Sequence, residues 1–183
     1  MAEIDEDFVQ NVDALTGAMP SHLTSAEIDI RLGSFWVPED IYEDFMFELL
    51  ETPSYTRNVI EIKYNELTGE WAIENQNRDR GNMLADTTYG TQRASAYRII
   101  KDSLNMRTVN ITDTVTDADG RTRTVQNAKE TALACEKQEL IKQKFKDWVW
   151  NDETRRERLE EIYNTRFNST VAREFDGSHL TFP

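Results

Sequence analysis

The sequence predicts an α+β fold, and three observations carry that expectation. Two stretches alternate apolar and polar residues and close on strong turn signals, as β-hairpins do. Around them, apolar residues recur at three- and four-residue spacing, the mark of amphipathic helices. Capping boxes and single prolines mark where those helices start and stop. Two antiparallel hairpins, expected in one small sheet, are thus covered by about five helices. Isolated hairpins are marginal, so packing on the helices must stabilise them.

Taken in order, residues 1–23 read as a loosely structured segment with a short helix around 8–16, ended by Gly17 and Pro20. Thr24 with Glu27 fits a capping box, which predicts a short helix to about Leu32 that ends at Gly33 in a left-handed conformation. Pro38 opens the next helix, with Glu39 and Asp40 at its positive end. Ile41, Phe45 and Leu49, flanked by Tyr42, Met46 and Leu50, form its apolar stripe, and Pro53 stops it. Residues 58–65 alternate, with Ile60, Ile62 and Tyr64 on one face. A turn at Leu67-Thr68-Gly69-Glu70 leads to a second strand over 71–74.

Residues 75–88 are polar and predict a long loop. A helix follows over 91–104 that buries Ala94, Tyr97, Ile100 and Leu104. The second hairpin alternates Val109, Ile111, Asp113 and Val115, turns at Asp117-Ala118-Asp119-Gly120, and returns with Arg121, Arg123 and Val125 on one side. Asn127 with Glu130 caps a long helix to about Trp150, with Leu133, Leu140, Ile141, Phe145 and Trp148 expected inside. Asp152 caps a last, charge-rich helix over 153–167. The expected organisation is a loose segment 1–23, a single α+β domain 24–170 and an extended tail 171–183.

Length and composition suit one folded domain with a real core, needing no disulfide or metal staple. Cys135 is the single cysteine, so no intrachain disulfide forms. No apolar run approaches the roughly 18 residues of a membrane span. The acidic N-terminus does not read as a secretory signal, and the expected location is the cytoplasm.

Charge is unevenly placed. Residues 1–54 hold 13 acidic side chains against Arg31 alone, whereas residues 55–183 hold 21 acidic and 20 basic ones. Phosphate backbones select for Lys and Arg, so the first third is a poor nucleic-acid surface. It suits a basic partner instead, or simply keeps the chain solvated.

No catalytic constellation stands out. There is no Gly-rich phosphate loop ending in Lys-Ser/Thr, no glycine cluster for a dinucleotide or methyl donor, and no Asn/Asp-Pro-Pro-Tyr/Phe element. His22 and His179 lie at opposite ends, and neither they nor Cys135 have partners at metal-ligand spacing. Asp176 near His179 reads as a solvated tail, and Asp113, Asp117 and Asp119 as turn residues, since no bidentate Glu completes a calcium loop. Catalytic, cofactor and metal sites are therefore expected to be absent. The candidates for nucleic-acid contact are Arg121 and Arg123 on the second hairpin with Arg107 before it and Lys129 after it, and Arg78 and Arg80 in the loop after the first hairpin. Trp36, Tyr89 and Tyr97 are candidate stacking aromatics. The bland reading of hairpin arginines is solvation and pairing with neighbouring acids.

Specific strings add a family resemblance. They include Glu27-Ile28-Asp29-Ile30-Arg31-Leu32-Gly33-Ser34-Phe35-Trp36-Val37-Pro38, Tyr64-Asn65-Glu66-Leu67-Thr68-Gly69-Glu70-Trp71, Lys144-Phe145-Lys146-Asp147-Trp148-Val149-Trp150 and Arg173-Glu174-Phe175-Asp176-Gly177-Ser178-His179-Leu180. Shorter ones lie at 45–53, 88–99, 113–115 and 163–170. The chain resembles a region of very large phage and mobile-element proteins in which an adenine-specific DNA methyltransferase-like part precedes a Snf-type helicase. The resemblance implies a non-catalytic segment just upstream of the first ATPase lobe, with its tail leading into the helicase. Its implied partners are those two parts of the same polypeptide and DNA. ATP and S-adenosylmethionine would belong to the parent protein, because no position here matches their motifs. The alternative expectation is a freestanding acidic interaction protein of a phage or mobile element, mimicking DNA. A small hydrolase with paired carboxylates is a third.

Overall fold

The computed structural model describes residues 11–12, 19–117 and 119–169. The fold is α+β, as expected, with one correction: the hairpins form two separate two-stranded sheets, not one. The chain divides into a larger unit, Ile30–Arg156, and a terminal unit of residues 1–29 with 157–183. Most of the predicted helix at 8–16 and the whole tail 171–183 lie outside the described residues.

The helix predicted from Thr24 to about Leu32 does not form. Thr24–Glu27 makes a single turn, in which the Glu27 carboxylate accepts from both the backbone N–H and the hydroxyl of Thr24. Beyond it, buried Ile28, Ile30 and Leu32 alternate with exposed Asp29 and Arg31, and the chain is not helical. Period-two burial with β-branched residues outweighs the capping signal. Gly33 does take a positive φ of 102°.

Helix α1 (Glu39–Leu49) follows, with Pro38 at its N-cap rather than in its first turn. Glu51, at φ 48°, ends it in the left-handed conformation, and the Thr52 N–H returns to the Phe47 carbonyl. After the one-turn helix α2 (Ser54–Arg57), strands β1 (Glu61–Asn65) and β2 (Glu70–Glu74) pair with Ile62 opposite Ile73 and Tyr64 opposite Trp71. A lone hairpin leaves two open edges, and side chains close both. On the β1 side, Glu43 Oε1 accepts from the Ile62 N–H at 2.7 Å and Glu39 Oε1 from the Tyr64 N–H at 2.6 Å. On the β2 side, the Asn105 amide accepts from the Trp71 N–H and donates to its carbonyl, both at 2.9 Å.

The segment 75–88, predicted as loop, holds a 3-10 turn (Gln76–Asp79) and a π-turn (Leu84–Thr88). Asn82 organises it by accepting from the Leu84 and Ala85 N–H groups and donating to the Leu50 carbonyl and Asp79. Helix α3 (Ala96–Leu104) starts five residues later than predicted, because the Thr91 hydroxyl accepts from the Arg93 and Ala94 N–H groups and fixes a turn there. Strands β3 (Thr112–Thr116) and β4 (Thr122–Gln126) form the second hairpin, exposed along nearly its whole length. Its base is anchored by Arg93 and Asn127, both of which bond the Asp113 carboxylate.

Helix α4 (Ala128–Val149) is capped as predicted, with Asn127 Oδ1 accepting from the Glu130 N–H at 3.0 Å. Its buried stripe is Ala134, Gln138, Ile141, Phe145 and Val149, while Leu133 and Leu140 are 41% and 39% exposed. Gln138 is a buried polar residue whose amide nitrogen and oxygen both find partners. It donates to Ser103 Oγ and the Arg107 carbonyl and accepts from the Val109 N–H. Phe145 packs on Tyr42 and Phe45 at ring-centroid distances of 5.5 and 5.1 Å, and Tyr42 meets Trp71 edge-on at 5.0 Å. Arg155 closes the C-terminus of α4 by donating to the Trp148 and Val149 carbonyls, with its guanidinium 3.4 Å from the Trp148 ring centroid. Helix α5 (Glu153–Phe167) is capped by Asp152 as predicted, through the Arg155 N–H.

In the terminal unit, Asn164 accepts from the Leu23 N–H and donates to the Leu23 carbonyl, both at 2.8 Å. Glu160 takes the Ser25 N–H and Asn168 donates to the Ser21 carbonyl. Three α5-side polar residues thus hold the strand-like entry segment. Among the described residues no helix is long and apolar enough to cross a membrane.

One consequence concerns pH. Partial burial raises the Glu43 carboxyl above its ordinary 4.5, although the Ile62 N–H and Lys63 pull it down. A raised folded pKa means that the native state binds the proton more tightly than the unfolded chain. Its contribution to stability is therefore full below pH 4.5 and declines as pH rises through the folded value. Glu43→Gln keeps an acceptor for Ile62 without the charge. The Tm difference, variant minus wild type, should become more positive across that window in thermal melts. A difference that does not change with pH would contradict this.

Candidate nucleic-acid interface

The sequence-predicted cations do not converge. Arg121 and Arg123 are exposed on β4 and just before it, and Arg123 lies 3.2 Å from Asp117. Lys129 is exposed in the first turn of α4. Arg78 is exposed on the 3-10 turn, and Arg80 lines a small pocket of about 220 Å³ with Asp79 and Asp86, where acids outnumber the base. Of the proposed stacking rings, Trp36 and Tyr97 are buried, and the Tyr97 hydroxyl donates to Asp79 at 2.6 Å. Burial, then the bond to Asp79, pushes the Tyr97 phenol well above its ordinary range. Tyr89 is half-buried. Asp117 and Asp119 stand at the turn as expected, whereas Asp113 is a β3 residue, held below the usual carboxylate range by Arg93, then Asn127. Among the described residues no group of three or more His, Cys, Asp or Glu side chains is placed to hold a metal.

Arg107 goes elsewhere. Helix α3 ends with Met106 at φ 55°, and the Arg107 N–H returns to the Asp102 carbonyl at 2.8 Å. This reversal turns the Arg107 side chain to an ion pair with Glu70 and into a cleft of about 460 Å³ within the larger unit. Three stretches line that cleft: Arg31 and Leu32, the end of α3 with residues 106–108, and the α4 face of Glu139, Lys142, Gln143 and Lys146. Residues 139, 142, 143 and 146 are neighbours on one helix face. Four cations thus line the cleft, with Lys142 2.7 Å from the lining Glu139 and Arg107 paired with Glu70. Arg31, Lys142 and Lys146 were not singled out from sequence. The available signals were Arg31 as the lone base of the first third and the i, i+4 spacing of two lysines.

The larger unit is an α+β scaffold that carries a basic cleft. Residues 31–169 match the family model described as "Domain of unknown function (DUF8437)", and the chain belongs to that family. No curated protein and no solved structure matches the chain.

Proposed function

We propose that the chain is a non-catalytic accessory domain of a cytoplasmic DNA-processing protein, in which a methyltransferase-like part precedes a Snf-type helicase. It would position those parts, or the DNA between them. The shared strings across residues 27–170 support the placement beside a helicase. The observation that carries the DNA half of the reading is the gathering of Arg31, Arg107, Lys142 and Lys146 in one cleft of a chain with formal net charge −13.

Fluorescence anisotropy with short labelled single-stranded and duplex DNA at low salt tests it. The expected result is weak binding, with Kd about 1–100 μM, that fades as salt is raised. No binding to either DNA at low salt would remove the DNA-contact reading.

A second reading, a freestanding acidic protein that mimics DNA, draws on α1. Asp40, Asp44 and Glu48 follow one another at four-residue spacing along that helix, and Asp44 is raised by desolvation and then by Asp40. A mimic would bind no DNA itself and would displace DNA from a basic enzyme, so the same titration separates the two.

A further inference from the structure

We propose that the cleft between the α3 end and α4 holds the phosphodiester backbone of a single-stranded nucleic-acid segment, with Met106 against a base. The proposal rests on the DNA-associated reading for the class of polymer, and names where and in what form that polymer is held.

Four observations carry it. The first is charge: in an acidic chain, Arg31, Arg107, Lys142 and Lys146 share one cleft, against Glu139 in its lining and Glu70 beside Arg107. The second is provenance. Arg31 is the sole base among residues 1–54, and it lines this cleft. A solvated surface gives no reason for that gathering, whereas a polyanion does.

The third is shape. Duplex DNA is read by a helix or ribbon that enters its grooves. A concavity of about 460 Å³ offers no such protrusion and suits a strand laid into it.

The fourth is Met106. It occupies the left-handed position that ends α3, where glycine is the low-strain residue, and its side chain is 75% exposed at the cleft wall. Strain kept at a ligand-facing position is a pointer to use. A thioether makes favourable contact with aromatic ring edges, and the cleft lining has no aromatic side chain to do this instead.

The experiment uses the full chain and labelled oligo-dT, titrated by anisotropy over a range of salt. Lys142→Ala/Lys146→Ala should weaken binding about tenfold and make the slope of log K against log salt shallower by about 1.4, two phosphates at about 0.7 each. Arg121→Ala/Arg123→Ala should change affinity less than about twofold. Both lysines reach solvent, so an unchanged far-UV spectrum and Tm are expected of that double variant.

Met106→Gly separates a base contact from bulk charge. It should raise Tm by about 2 °C through relief of strain while lowering affinity without changing the salt slope. Inorganic polyphosphate, matched per phosphate, should compete less well than oligo-dT.

Binding lost in the hairpin variant and kept in the lysine variant would overturn the groove and leave DNA association standing. Binding to no nucleic acid at all would overturn both. Equal competition by polyphosphate, or unchanged affinity in Met106→Gly, would overturn the nucleic-acid groove in favour of a general anion site.

Discussion

Phe145→Ala is expected to lower the stability of the chain by about 3–5 kcal/mol, the usual cost of emptying an aromatic site in a packed core. Phe145 has no exposed surface and touches Tyr42, Phe45 and Trp148, so it is a central ring in the packing of α4 on α1, beside the Trp148 contacts to Phe45 and Glu48. Its loss leaves a void bounded by rings that are themselves fixed. Tyr42 cannot swing in, because its hydroxyl accepts from the Gly33 N–H and donates to the Ser34 carbonyl at 3.0 Å. Urea unfolding should show a lower midpoint at unchanged slope. Leu140→Ala, on the same helix, is the internal comparison and should stay within about 1 kcal/mol of wild type, since Leu140 is 39% exposed. Equal losses at the two positions would contradict the orientation of α4.

Gly33→Ala is expected to destabilise by about 3 kcal/mol or more, from two separate sources. At φ 102° an L side chain is strained whatever room it has. Here there is also no room: a Cβ would sit 2.3 Å from the Leu104 carbonyl oxygen and 3.0 Å from its Cα. Backbone cannot step aside as a flexible side chain can, so α3 or the 31–34 segment must shift. That shift would pull the Gly33 N–H from Tyr42 and displace Arg31 and Leu32 along the cleft wall. Gly120→Ala isolates the conformational part, because φ is 78° there and nothing lies within 4 Å of the added carbon. It should cost about 1–2 kcal/mol. A Gly33→Ala protein no less stable than Gly120→Ala would show that the close approach to Leu104 is wrong.

Much of the fold was legible in the sequence because its signals are local. The turn at residues 117–120 and the Asn127 and Asp152 caps act within a few residues and stand where expected. The apolar stripe of α1 does so at Ile41, Tyr42, Phe45 and Met46, with Phe47 buried and Leu49 half-buried. Where local and long-range signals conflict, the local reading fails. The Glu27 carboxylate takes the Thr24 N–H as a capping box requires, yet the Thr24 hydroxyl donates to that carboxylate instead of accepting from the Glu27 N–H. The alternating burial of Ile28, Ile30 and Leu32 prevents a helix. On α4 the stripe is rotated by about one residue, because the buried position is given to Gln138, whose partners at 103, 107 and 109 cannot be seen from its own neighbourhood. Leu133 and Leu140 are left outside as a result.

The cleft was illegible for a related reason. Hairpin arginines are adjacent in sequence and draw attention, whereas Arg31, Arg107 and the α4 lysines are brought together only by the turn at Met106 and the packing of α3 on α4. In sequence Arg107 belongs with the hairpin group because it precedes β3. Its ion pair with Glu70 on β2 instead fixes it on the cleft side.

The measurement that bears most directly on this account is an amide NMR titration of the labelled chain with oligo-dT at low salt. Shift changes should concentrate at Arg31 and Leu32, residues 103–108 and residues 139–146, with little movement at Arg121 and Arg123. Changes confined to the second hairpin, or none anywhere as the oligonucleotide is added to excess, would contradict it.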